Sequence, residues 1–199
     1  MSEPKFNNVP NERIKVYYQC NNGIATNLDF WISRAPAVVG VVFFIDLLGH
    51  TYVLLTQRSN KMRDEASKWG VPCGFLDWNE TGYDGMCREV HEETSLNLWD
   101  FEKYRVFNND KHPFEVRDNP NTDKHQNVSL LYVSVYNIGN DMQLFPLDIE
   151  KFVCHETAQV KWVDYFDFIT KQKNYEWAFN HNETIMRAMN FYSASINYE

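Results

Sequence analysis

Apolar and polar positions alternate from Arg13 to Cys20, with Ile14, Val16 and Tyr18 facing one way, and a period of two predicts a strand. Asn21-Asn22-Gly23 supplies a turn and Phe30-Trp31-Ile32 a return arm, so a β-hairpin is expected there. A hairpin of this size is marginal alone and should pack on the main domain or on a second subunit. Val38 to Asp46 is a continuous apolar, β-branched run, which reads as a strand buried on both faces. Leu48-Gly49-His50 turns the chain and Tyr52 to Gln57 returns as a second strand. Arg58 to Lys68 is charged and reads as a surface loop. Trp69-Gly70-Val71-Pro72 follows, extended or turning because Pro72 disfavours helix before it.

The pattern then changes period. Thr81-Gly82-Tyr83-Asp84 fits a capping box, and Tyr83, Met86, Cys87 and Val90 recur three or four apart. A helix should start at Thr81, bury that stripe and end near Ser95 to Asn97. Tyr104 to Asn108 is a short strand candidate, and Lys111 to Lys124, rich in Pro, Asn and Asp, reads as a long functional loop. Val128 to Tyr136 alternates clearly as a strand, Gln143 to Val153 is irregular, and Val160 to Val163 forms a last strand. Tyr165 to Lys171 predicts a short helix. Trp177, Phe179, Ile185, Met189 and Tyr192 predict a terminal amphipathic helix over 175–195.

Composition narrows the class. The chain of 199 residues suits one well-packed domain with a short appendage. Its net charge of −8 argues against a nucleic-acid footprint but not against a small anionic substrate, because a bound cation can invert the local field. Cys20, Cys73, Cys87 and Cys154 show no paired spacing, so free thiols in a reducing cytoplasm are expected. Residues 1–15 lack the apolar run of a signal peptide. The longest apolar stretch, residues 35–48, is broken by Pro36, Gly40 and Asp46 and too short to span a bilayer. A soluble, cytoplasmic protein is the expectation.

Charge is concentrated between Gly74 and Leu96. Asp77, Glu80 and Asp84 come first, and Arg88 then precedes Glu89, Glu92 and Glu93, which a helix gathers on one side. Carboxylates near a helix C-terminus oppose the macrodipole, and like charges at i,i+4 add about 0.2–0.5 kcal/mol per pair. A solvated acidic face would explain a bare Glu-x-x-Glu-Glu string. A bound Mg²⁺, which prefers oxygen ligands and retains waters and substrate phosphates, removes the conflict altogether.

The residues around the string favour the second reading. Written G-x5-E-x7-R-E-U-x-E-E-x-G-U, with U aliphatic, the Nudix box lies on this sequence without a gap. Gly74, Glu80, Arg88, Glu89, Val90, Glu92, Glu93 and Leu96 match and only Ser95 departs, eight of nine specified positions over 23 residues. The chain therefore resembles the Nudix hydrolases. The resemblance implies an α+β fold, an α/β/α sandwich with a mixed β-sheet and a loop–helix–loop at the box. Residues 1–34 would be an N-terminal extension with the hairpin as a candidate arm, and 35–199 the Nudix domain including the C-terminal helix. It implies a pyrophosphohydrolase that uses Mg²⁺ or Mn²⁺ to cleave the diphosphate of a nucleoside diphosphate joined to another moiety. Glu89, Glu92 and Glu93 would face the metal, joined by the backbone carbonyl of Cys73, where the family usually has Gly. Arg88 would pair with Glu80 and orient the cluster, and Glu89 would activate water. At Ser95 a left-handed residue would cost about 1–2 kcal/mol; Asn97 tolerates that conformation better, so the helix is expected to run on slightly.

Residues outside the box bear on the substrate. Residues 54–74, LLTQRSNKMRDEASKWGVPCG, look like the signature that coenzyme A pyrophosphatases carry before the box, with Ser67 and Cys73 in place of glycines. The hairpin followed by Arg34-Ala35-Pro36 instead resembles the swapped arm of dimeric ADP-ribose and nucleotide-sugar pyrophosphatases, which makes a homodimer a candidate assembly. The ADP-ribose or nucleotide-sugar type is favoured. Arg58, Arg63, Trp69 and Glu156 are the candidate substrate-binding residues. A solvated loop glutamate is the simpler reading of Glu156, although family members often recruit an extra base from such a loop. Trp69 and Trp78 flank the motif and could stack on a base or pack in the core, while His91 and His155 read as exposed polar residues. The alternatives are a nucleotide sensor without catalysis and a protein-interaction module. Sensors of this family append a basic winged helix, for which the chain after Val163 is too short and too little basic, and a module would have no need of all three helix glutamates.

Overall fold

The computed structural model describes the backbone of residues 13–19 and 25–31, and residues 35–107, 112–119, 127–139, 141 and 145–196 in full. Strands β1 (Arg13–Gln19) and β2 (Ala25–Trp31) pair antiparallel, Arg13 opposite Trp31, as a two-stranded sheet of their own. The expected hairpin is therefore present, with a longer return arm than Phe30-Trp31-Ile32 suggested. Its turn at Asn21-Asn22-Gly23 lies outside the described residues, as do Cys20 and Arg34.

The main sheet has seven strands: β3 (Pro36–Asp46), β4 (Thr51–Arg58), β5 (Trp69–Gly70), β6 (Cys73–Phe75), β7 (Glu115–Arg117), β8 (Val128–Gly139) and β9 (Thr157–Asp164). It is mixed, since β3 and β8 run parallel from Pro36↔Val128 onward while the other pairs are antiparallel. Alternate residues of the central strands reach opposite layers. Val38, Val42 and Phe44 pack with Tyr83, Met86, Cys87 and Val90 of helix α1 (Gly82–Thr94). Val39, Val41 and Phe43 pack with Phe168 of α2 (Tyr165–Lys171) and with Ile185 and Ala188 of α3 (His181–Ile196). Burial on both faces is why β3 reads as an unbroken apolar run rather than an alternating one. The expected α/β/α sandwich is what forms. Gly40 sits on the α1 side, where a Cβ would come within 2.9 Å of the Met86 side chain; its absence lets the helix approach the sheet.

One irregularity positions the box. β3 and β4 pair only over Phe43↔Val53 to Ile45↔Thr51 and then part. Residues 69–75 fill the opening. Trp69 and Gly70 pair with β4, the chain crosses at Val71-Pro72, and Cys73 to Phe75 pair with β3. Pro72 has no N–H for a ladder, and its carbonyl accepts from Gly40 N–H at 2.9 Å. The two short strands carry no signal of their own in the sequence.

Helix α1 begins as expected. The Thr81 hydroxyl accepts from Asp84 N–H at 3.2 Å, which caps the helix, and it donates to the Asp84 carboxylate at 2.7 Å. The helix ends at the near limit of the expected range, Ser95 to Asn97, and does not run on past Ser95. Ser95 itself takes the left-handed conformation, φ 65°, with its N–H on the His91 carbonyl at 2.7 Å. Leu96 and Leu98 must turn back into the core, being 2% and 1% exposed, and that burial outweighs the conformational cost at Ser95. Four further expectations change. The chain over Leu98–Tyr104 is a 3₁₀ helix, followed by a single bridge, Arg105 to Tyr136, in place of the strand at 104–108. Leu147–Lys151, expected to be irregular, is also 3₁₀. Within the expected long loop, Glu115–Arg117 pairs with β8. Trp177 and Phe179 precede α3 rather than lie in it, because Phe179 and Asn180 have φ of 50° and 56° and α3 starts only at His181.

His181 links the two layers on the α3 side. It is buried, and its Nδ1 accepts from Val71 N–H at 3.1 Å, so the ring is held neutral. Burial, with the nearby charges of Arg117 and Arg58, pushes its pKa down to about 3.

Two predictions follow from these termini. Ser95→Gly should raise the free energy of unfolding in denaturant titrations by ~1 kcal/mol, because glycine takes φ 65° without the Cβ penalty. For His181, the unfolded ring binds a proton near pH 6.5 that the folded ring refuses down to about 3. Stability from this site is present above pH 6.5 and is lost as pH falls. Between pH 7.5 and 5.5 the wild type should lose about 1.4 kcal/mol more than His181→Asn, whose amide oxygen can still accept from Val71.

Candidate active site

Four segments converge on one cavity of about 540 Å³. The end of β4 and the turn after it contribute Arg58 and Met62, and β6 with its following loop contributes Cys73, Gly74, Phe75 and Asp77. Arg88, Glu89, Glu92 and Glu93 come from α1, and Cys154, His155 and Glu156 from the loop before β9. That loop is fixed by Ser59 N–H, which donates to the Glu156 carbonyl at 2.7 Å.

Arg88 organises the acidic groups. Its Nε and Nη2 grip the two oxygens of Glu80 at 3.1 and 2.8 Å, and Nη2 also donates to the Phe75 carbonyl at 2.9 Å. Nη1 donates to Glu89 at 2.7 Å and to Glu92 at 3.0 Å. Glu80 in turn accepts from Asp77 N–H at 2.7 Å. The Arg88 bonds hold the Glu80 carboxyl below its usual range. Fork-to-fork pairing of this kind fixes orientation as well as charge.

Glu93 lies deepest. It accepts from Cys73 N–H and from the Thr56 hydroxyl, both at 3.3 Å, and burial pushes its pKa up to about 8, with Glu89 adding to the rise. Burial raises Glu89 as well, against the lowering effect of Arg88. Gly74 makes the approach possible, because a Cβ there would fall on the Glu89 carboxylate. The Cys73 thiol is pushed up by burial, which leaves it a poor nucleophile.

Among the described residues the wall therefore presents Asp77, Glu89, Glu92, Glu93 and Glu156 against Arg58 and Arg88. Such an all-oxygen acidic set matches a hard divalent cation in donor type. Among the described residues no three of these side chains meet at coordination distance, since Glu89 and Glu92 are turned onto Arg88.

Of the expected site residues, Arg58, Cys73, Arg88, Glu89, Glu92, Glu93 and Glu156 line the cavity, and Glu80 stands behind it on Arg88. Two do not. Trp69 is buried in the opposite layer, ring against Tyr175, so the expectation of a substrate-binding Trp69 is corrected to a core residue. Arg63 is exposed on the loop after β4 and lies outside the cavity wall. Trp78 is 94% exposed and also outside it, as is His91. His155 is exposed yet lines the cavity. Met62, Phe75, Asp77 and Cys154 were missed. Phe75 and Asp77 lie inside the box at unspecified positions, and Met62 and Cys154 reach the cavity only through the strand pairing.

A family model described as NUDIX domain matches residues 34–186. A search of curated protein sequences finds no match. Among solved structures, the fold is similar to that of a mutT/nudix family protein from Listeria innocua, at TM-score 0.57 and 21% identity, covering 84% of this chain and 100% of that one. NrtR from Shewanella oneidensis is similar at TM-score 0.56 and 23% identity, over 78% of this chain and 62% of its own. A bifunctional NMN adenylyltransferase/ADP ribose pyrophosphatase from Francisella tularensis, solved with AMP and a Mn ion, is similar at TM-score 0.54 and 19% identity, over 79% of this chain and 42% of its own. Among the described residues no helix is long and apolar enough to cross a membrane. With the box on α1 and the family model covering most of its length, the chain belongs to the NUDIX domain family.

Proposed function

We propose that this chain hydrolyses the diphosphate linkage of a nucleoside diphosphate joined to a second moiety, with Mg²⁺ or Mn²⁺ as its cofactor. The observation that carries the reading is the meeting of Glu89, Glu92 and Glu93 with Arg58 and Glu156 around one cavity. An anionic diphosphate would be repelled by that wall unless a cation came with it. Glu89, Glu92, Glu93 and the Cys73 carbonyl would hold the ion, Glu89 and Glu92 exchanging their bonds to Arg88 for it. When bound, the ion neutralises the carboxylates and polarises the diphosphate.

The chain's own groups do the rest. Glu89, whose basicity is raised by burial, takes the proton from the attacking water. Arg88, anchored on Glu80 and the Phe75 carbonyl, ties the loop before α1 to the helix that carries Glu89. Arg58 binds a phosphate of the substrate. Glu156, which lines the same cavity from the loop before β9, would contact the substrate or serve as a second base.

An ADP-ribose or nucleotide-sugar type of substrate is favoured, with the coenzyme A type as the runner-up. The N-terminal hairpin supports the choice, since two strands in a sheet of their own need a surface to pack on, and a second copy of the chain would supply it. The free Cys73, Cys87 and Cys154 suit a reducing cytoplasm. The other reading, a nucleotide sensor without turnover, keeps the cavity and drops the chemistry.

Release of AMP or phosphate should be measured with Mg²⁺ or Mn²⁺ on ADP-ribose, a nucleotide sugar, coenzyme A, dinucleoside polyphosphates and nucleoside triphosphates. Turnover that a chelator abolishes is the expected result, and none on any of them would favour the sensor. Glu92→Gln and Glu93→Gln should each lower kcat/KM by more than about a hundredfold. Glu93→Gln should leave the unfolding midpoint unchanged or higher, because it replaces a buried carboxylate already pushed up to about 8. Wild-type rates in both variants would sink the assignment of these side chains to the metal.

A further inference from the structure

Phe179 has a backbone that an aromatic residue rarely adopts, φ 50°, followed by Asn180 at 56°. Such a conformation persists only where its surroundings over-determine it. Here Trp69 N–H donates to the Glu176 carbonyl and Ala178 N–H to the Trp69 carbonyl, both at 2.8 Å, which sews residues 176–178 onto β5. His181 N–H then returns to the Ala178 carbonyl at 2.9 Å. The strained turn aims the Phe179 ring, 40% exposed, under the Arg58 guanidinium, whose centre stands 5.2 Å from the ring centroid. The ring leans at the same time on buried His181, at 5.6 Å between centroids.

Arg58 is otherwise held by Nε, which donates to the Asp64 carbonyl at 3.1 Å. Both partners are uncharged. A carbonyl and a ring face fix the plane of a guanidinium without neutralising it, and its terminal nitrogens remain directed by that plane. Arg58 lines the cavity, and Phe179 stands behind it, outside the lining residues.

We infer that Phe179 is a positioning residue: its ring holds the Arg58 guanidinium in the plane in which it receives a phosphate of the nucleoside diphosphate. This rests on the proposed role of Arg58 in substrate binding but does not require turnover. It also gives the strained turn a purpose that core packing leaves unexplained, since Phe179 is among the exposed large apolar residues.

Binding of ADP with Mn²⁺, followed by calorimetry, tests the inference apart from hydrolysis. Phe179→Leu should weaken binding on the order of tenfold, Phe179→Trp should retain it, and Phe179→Leu in an Arg58→Gln background should bind no worse than Arg58→Gln alone. Phe179→Gly is the control for a structural role. Glycine accepts φ 50°, so its melting midpoint should equal or exceed that of the wild type while ADP binding still falls. Equal losses from Phe179→Leu in both backgrounds, wild-type affinity in Phe179→Leu and Phe179→Gly, or no binding of ADP by the wild type would each overturn it. If ADP binds with this pattern and no substrate turns over, the positioning role stands and the hydrolase reading falls.

Discussion

Arg88 is the constraint on which the site depends. Its guanidinium is surrounded by Glu80, Glu89, Glu92 and the Phe75 carbonyl, with Asp77 at 3.7 Å. Without it, an acidic helix face would meet an acidic loop across a few ångströms. With it, the loop from Gly74 to Glu80 is tied to the second half of α1, so box and helix form one rigid body. Because Glu80 is only 15% exposed and Arg88 24%, solvent screens this pairing less than it would a surface ion pair. The same arrangement means that any cation held by Glu89 and Glu92 would have to displace Arg88 from them.

The depth of each carboxylate divides their characters. Glu93, 6% exposed and fed by one backbone N–H and one hydroxyl, has too few donors to stay charged easily. Glu92 has a side chain 57% exposed and reaches Arg88 from the solvent side. Glu89 stands between them, buried but answered by Arg88. A helix with its carboxylates at 89, 92 and 93 produces this gradient because the stripe of Met86 and Val90 is seated on the sheet at Gly40, which puts Glu93 on the buried side, Glu89 at its margin and Glu92 outside.

Much of this was legible in the sequence, for identifiable reasons. The α1 stripe and the capping box are local, and local patterns survive folding, so Gly82–Thr94 appears where Thr81 and the apolar spacing put it. The long strands β3, β4 and β8 were legible for the same reason. What was not legible depends on contacts distant in sequence. Trp69, near the box, is open in the sequence to either stacking on a base or packing in the core, and pairing with β4 and with residues 176–178 turns its ring into the opposite core. Cys154 and Met62 reach the cavity through pairing of β9 with β4, which no short pattern encodes. Ser95 shows tertiary demand overriding propensity, as the burial of Leu96 and Leu98 forces a serine into a glycine's conformation.

The crossing at Val71-Pro72 has a consequence for assembly of the site. Residues 69–75 are paired to two strands at once, to β4 before the crossing and to β3 after it. A slip of one residue along either partner would invert every side chain in the segment. It would expel Trp69 from its core and swing Gly74 away from the Glu89 carboxylate in the same movement. Trp69 is thereby coupled to the cavity: a register that carries Gly74 away from Glu89 also takes a buried tryptophan out of its core, so the two errors carry one shared cost.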